Sequence, residues 1–65
     1  MRVYILKRRS RYYNGIFCNT TKHLEKAKFM TYSRAMNEMK ILNEDVTQER
    51  WLWKIEAVHL TKIGF

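Results

Sequence analysis

Tyr32, Ala35, Met36, Met39 and Leu42 follow the i, i+3, i+4, i+7 spacing that lines one stripe of an α-helix. Thr31 or Ser33 supplies a hydroxyl that can accept a free backbone N–H of the first turn. Asn43-Glu44-Asp45 brings carboxylates to the far end, where they oppose the helix dipole. The spacing therefore predicts a helix over 32–43, stopping at Leu42 or Asn43. Arg34 and Glu38 stand four apart on the opposite side, a pair contributing about 0.3 kcal/mol.

Extended segments surround that helix. Val3-Tyr4-Ile5-Leu6 is β-branched and aromatic and predicts a first strand over 2–8. Arg8-Arg9-Ser10-Arg11 reads as a turn or an exposed strand end. Tyr12-Tyr13-Asn14-Gly15-Ile16-Phe17 offers two alternatives. Asn-Gly takes the positive φ angles of a type I′ turn at low cost. Or it forms a bulge in a second strand, Tyr13 to Cys18, that pairs back onto the first through Ser10; this second option is preferred because the strands match in length. Asn19 to His23 reads as a polar loop. Leu24 to Lys28 reads as one helical turn, and Phe29-Met30 as a brief third strand. Val46 to Glu49 is a connection. Arg50 to Leu60 alternates as the longest strand, with Trp51, Trp53, Ile55 and Ala57 on the face that packs under the helix. The tail from Thr61 to Phe65 is expected to be loosely held.

The expected fold is α+β: a small antiparallel sheet of three to four strands with one helix packed on one face, in the order β-β-(β)-α-β. Residues 1–65 make a single small domain. A chain of this size buries only about 60% of its unfolded surface, so its stability is marginal. Cys18 is the one cysteine, which excludes an intrachain disulfide and suits a reducing compartment. Its plain role is a small, partly buried apolar residue. Apolar residues at 46%, aromatics at 14% and the absence of proline favour a folded chain over a disordered one. The apolar run Val3 to Leu6 is far short of a signal peptide or a membrane span. The chain reads as cytoplasmic and unprocessed.

Charge is lopsided. Residues 1–28 carry eight Lys or Arg and only Glu25 as an acid, so they hold the whole net charge of +7. Residues 29–65 carry five bases and five acids. Such a field biases a small protein toward an acidic partner: nucleic acid, an acidic protein surface or anionic lipid. Arg8, Arg9 and Arg11 cluster, with Tyr12, Tyr13 and Phe17 among them, and Lys22, Lys26 and Lys28 extend the track. Guanidinium groups grip phosphate in a bidentate way, and aromatic faces stack on unpaired bases. Phosphate contacts position a partner without specifying sequence. The same bases also serve to block edge-to-edge sheet pairing, and Tyr12 or Tyr13 can pack in the core. The expected binding residues are Arg8, Arg9, Arg11, Tyr12, Tyr13, Lys22, Lys26 and Lys28.

No catalytic or metal constellation accompanies them. Cys18, His23 and His59 lack zinc-ligand spacing. Glu44-Asp45, the one adjacent acid pair, reads as a solvated corner. No Gly-rich phosphate loop, nucleophile triad order or HExxH occurs. The expectation is a binding protein, not an enzyme, with no cofactor. The helix is too nearly neutral to be a basic membrane-surface element. Nine aromatics exceed what so small a core buries, and exposed Tyr, Trp and Arg are the usual anchors of protein interfaces. Self-association as a homodimer through the free face of the sheet is a third route.

Tyr4-Ile5-Leu6-Lys7, Tyr13-Asn14-Gly15-Ile16-Phe17, Leu24 to Phe29, Thr31 to Ala35 and a tryptophan-bearing last strand together resemble small orphan proteins encoded by phages and prophages. The resemblance spans most of the chain and rests on turn, cap and core positions. It implies an accessory protein in the host cytoplasm that binds and redirects a host protein or blunts a host defence. It carries across no individual functional residue. The resulting expectation is a small phage-type accessory protein that binds a host macromolecule through its basic, aromatic-containing N-terminal face. The alternative is a sequence-nonspecific nucleic-acid-binding protein using the same face.

Overall fold

A computed structural model describes residues 2–16 and 19–59. Phe17, Cys18, Leu60 and the tail Thr61 to Phe65 lie outside the described residues, with whatever was expected of them. The elements run β1 (Arg2–Arg8), β2 (Arg11–Tyr13), β3 (Thr20–Thr21), a 3-10 turn (Leu24–Lys26), α1 (Tyr32–Asn43), a second 3-10 turn (Glu49–Trp51) and β4 (Lys54–His59). The sheet is antiparallel, ordered β3-β2-β1-β4, with α1 packed on one face. This is the expected α+β architecture. No helix among the described residues is long and apolar enough to cross a membrane.

β1 is the central strand because its apolar run serves both faces. Leu6 faces α1 and Ile5 faces away, and both are fully buried. β4 pairs along nearly all of β1, from Arg2↔His59 to Lys7↔Lys54. On the α1 face, Leu6, Tyr13, Met30, Ala35, Leu42 and Trp53 form the main core, with Tyr4, Met39 and Ile55 packed against it. The face opposite α1 is not free, as the sequence suggested. Ile5, Val58 and Ala27 are buried there, with Val3, Tyr12, Leu24 and Phe29 around them. Residues 24–29 reach that face because the 3-10 turn leads into an extended run pinned by Lys28 N–H to the Tyr13 carbonyl (2.9 Å) and by the Tyr4–Met30 bridge. The brief strand expected at Phe29-Met30 is thus a single bridge from Met30 to Tyr4 of β1.

The second strand pairs back onto the first through Ser10 as expected, but its bounds differ. Arg8 pairs with Arg11, so Arg9-Ser10 makes the two-residue turn, with Arg9 at a φ of 58°. β2 begins at Arg11 and ends at Tyr13; it is neither a Tyr13 to Cys18 strand nor one arm of an Asn-Gly turn. The Asn14 side-chain oxygen accepts the Ile16 N–H at 3.1 Å, an Asx turn that diverts the chain, and Gly15 takes a φ of 95°. The chain returns as β3, Thr20–Thr21, where the sequence suggested only loop: Tyr13 pairs with Thr20 and Tyr12 with Thr21.

α1 has the predicted bounds. Thr31 is the cap, its hydroxyl accepting from the Arg34 N–H at 3.3 Å. Ala35 and Leu42 of the stripe are buried, whereas Tyr32 is mostly exposed and rests edge-on against Tyr4, with ring centroids 5.2 Å apart. The last strand starts later than expected. Arg50 and Trp51 belong to a 3-10 turn, and β4 runs only from Lys54. Asn43, the last residue of α1, sets that boundary. Its amide donates to the Trp53 carbonyl (3.0 Å) and its oxygen accepts the Trp53 N–H (2.7 Å). Both backbone groups of Trp53 are therefore bound to a side chain at the point where the strand would otherwise have begun.

Candidate functional site

The structure gives the expected binding residues different surroundings. Arg11 lies in β2 and donates its Nε–H to the Thr20 hydroxyl at 2.6 Å. Tyr12 is half-buried in the second cluster, with the Lys7 ammonium 5.7 Å from its ring centroid. Tyr13 is 5% exposed, meets Trp53 edge-on at 5.7 Å and is a core residue, so it has no face to offer a base. Lys28 forms an ion pair with Glu38 at 2.8 Å. Lys22 and Lys26 are exposed; Lys22 directly follows β3, and Lys26 ends the 3-10 turn beside Ala27, which is buried on the face opposite α1. Of the eight expected residues, Arg8, Arg9 and Arg11 share the β1–β2 hairpin end, and Arg8 and Arg9 lie against Trp51 there.

What they join comes from the other half of the chain. Arg8 is at the end of β1, Arg9 is in the turn that follows, and the Glu49–Trp51 turn packs beside them just ahead of β4. Three guanidinium groups surround the Trp51 indole: Arg9 at 5.1 Å, Arg50 at 5.6 Å and Arg8 at 5.8 Å from the ring centroid. Arg8 also lies 4.5 Å over the Trp53 ring, closing the core beneath. Trp51 stays 42% exposed, whereas Trp53 is 1% exposed. Beside the indole runs an open cleft of about 520 Å³, bordered by Lys7, Arg9, Arg50 and Lys54 with Glu49 and Glu56. Among the described residues, no carboxylate forms an ion pair with Arg8, Arg9, Arg50 or Lys54.

This end of the sheet carries charge at a cost. Lys7 and Lys54 are direct cross-strand partners, a like-charge pairing that destabilises a sheet. Among the described residues, the carboxylate beside Lys7 is Glu56 at 3.8 Å, an exposed pair of little worth. Arg9 holds a left-handed φ in a position where glycine would be unstrained. The sequence signal for Trp51, Arg50 and Lys54 was Arg50 to Lys54 itself. Its alternation read as strand, which assigned Trp51 to the core.

The pairing of Lys28 with Glu38 makes a separate, structural lock. Burial raises the pKa of the Glu38 carboxyl, but hydrogen bonds from Lys28, Tyr13 and Arg34 and the Lys28 charge outweigh it, leaving it below the ordinary value. A carboxyl lowered on folding contributes stability above its unfolded pKa and loses it as pH falls through the folded pKa. The wild-type melting temperature is therefore expected to drop on acidification below the ordinary carboxylate range. In Glu38→Gln the drop should be smaller, because that contribution is already missing at neutral pH. Equal acid sensitivity of the two proteins by circular dichroism would contradict this assignment.

No group of three or more His, Cys, Asp or Glu side chains is placed to hold a metal ion among the described residues. No family model, curated protein or solved structure matches this chain.

Proposed function

We propose that this protein binds nucleic acid without sequence preference, through the basic end formed by Arg8, Arg9, Arg50 and Lys54 around Trp51. One observation carries the reading: three arginines without a carboxylate partner among the described residues converge on one half-exposed indole. The like charges of that convergence repel and Arg9 adopts a conformation that costs about 1–2 kcal/mol, which the contacts of the guanidinium groups with the indole, about 0.5–1 kcal/mol each, offset only in part. Strain kept at a surface turn marks a place where the side chain has a use. Phosphates supply the compensating charge, and guanidinium forks suit their geometry. The working compartment in this proposal is the cytoplasm.

The test is a titration of short DNA and RNA against the full chain at two salt concentrations. With about four phosphate contacts, affinity should fall roughly 50- to 150-fold between about 50 and 200 mM salt. Undetectable binding at the lower salt rejects the proposal. The second reading, a phage-type accessory protein gripping an acidic host protein, is favoured by Trp51 and the arginines, since Trp and Arg anchor protein interfaces. It predicts a stoichiometric protein partner that survives nuclease treatment.

Arg9→Gly separates site from scaffold. Glycine relieves the positive φ but adds freedom to the unfolded chain, for a net stabilisation of roughly 0.5–1 kcal/mol. Denaturant melts should show that gain while affinity for nucleic acid falls. A variant that is less stable than the parent would mean the Arg9 side chain serves the fold.

A further inference from the structure

We infer that the basic end takes single-stranded nucleic acid, with an unpaired base stacked on Trp51 and its neighbouring phosphate held in the cleft of Lys7, Arg9, Arg50 and Lys54. The inference rests on the nucleic-acid reading above and adds what distinguishes one strand from two. Arg9 and Arg50 serve both features: each lies within 6 Å of the Trp51 ring centroid, and each borders the cleft. A ligand that fills both must carry a flat aromatic group immediately beside an anion. A nucleotide in an unpaired strand meets that description. A duplex keeps its base faces stacked internally and offers only phosphates and groove edges.

The indole is suited to the role. Trp51 is the more exposed of the two tryptophans, at 42%, and it is absent from both packed clusters. The guanidinium groups within 6 Å of it can also stack on bases. The cleft holds four cations against Glu49 and Glu56, so its balance is positive, and its volume of about 520 Å³ lies in the range of small-ligand sites. No base edge is read by this arrangement, in keeping with binding that ignores sequence.

The experiment uses a 12-nucleotide oligothymidylate and a 12-base-pair duplex, each titrated into the full chain at about 50 mM salt, where phosphate contacts are strong. Anisotropy of the labelled DNA gives affinity, and intrinsic fluorescence reports the indole, because buried Trp53 is shielded from ligand. The single strand is expected to bind at least tenfold more tightly than the duplex and to quench the fluorescence. Trp51→Ala should weaken single-strand binding by about 5- to 150-fold, the worth of one base stack. Duplex binding should fall several-fold less than single-strand binding in Trp51→Ala, and Trp51→Phe should recover most of the single-strand affinity. Equal affinity for both ligands, or equal losses on both in Trp51→Ala, overturns the stacked base while leaving nucleic-acid binding intact. Binding of neither ligand overturns the parent reading and this inference together.

Discussion

Reversing Arg9, Arg50 and Lys54 together to Glu is expected to lower affinity for nucleic acid by about a hundredfold or more, because three charge-assisted phosphate contacts of at least about 1 kcal/mol each are lost. The slope of log affinity against log salt should shrink in magnitude by about 2 to 3, the share of three contacts. All three side chains are exposed, and the triple variant keeps the folded core. The Lys54 change even replaces a like-charge pair across β1 and β4 with an attractive one facing Lys7. Arg8 is left in place because its guanidinium covers the Trp53 ring at 4.5 Å, so a carboxylate there would damage the core and confound the result. Arg11 is left because it is bound to Thr20. A folded triple variant with parental affinity would remove the basic end from the function.

Trp53→Ala is expected to leave the chain largely unfolded at room temperature. Trp53 is the largest fully buried side chain, and its ring packs among Leu6, Tyr13 and Leu42 beneath Arg8. Truncating a buried tryptophan costs about 3–5 kcal/mol. A 65-residue domain has a total stability of only roughly 3–10 kcal/mol. Trp53→Phe should cost much less than that. It keeps most of the ring and deletes the indole N–H, which is buried without an acceptor among the described residues and so carries a desolvation cost. Chemical denaturation monitored by circular dichroism distinguishes the two variants. Trp53→Ala melting with parental stability would show that the core does not depend on this residue.

The two tryptophans show where reading from sequence stops. Alternation put Trp51 and Trp53 on one strand face, two residues apart, and treated both as core. The Asn43 side chain binds both backbone groups of Trp53, and the preceding residues close into a 3-10 turn instead. That turn carries Trp51 out to the arginines while Trp53 stays inside. A hydrogen bond across ten residues leaves no trace in a local pattern. The second face of the sheet was misread for a similar reason: Leu24, Ala27 and Phe29 reach it only because the chain crosses over after β3.

Local rules were sufficient for β1 and α1. A β-branched and aromatic run and a hydroxyl-capped 3.6-residue stripe are each written in neighbouring residues, and both elements have the bounds those rules predict. The overall α+β layering follows from the same periodicities. The distribution of charge in space does not. Two cations of the amino-terminal half, Lys7 and Lys28, are paired with carboxylates from the other half, and Arg8 and Arg9 gather instead with Arg50, Trp51 and Lys54. Electrostatic neighbours are chosen by distance through the folded core, and the antiparallel β1–β4 pairing is what brings residues 7–9 beside residues 50–54.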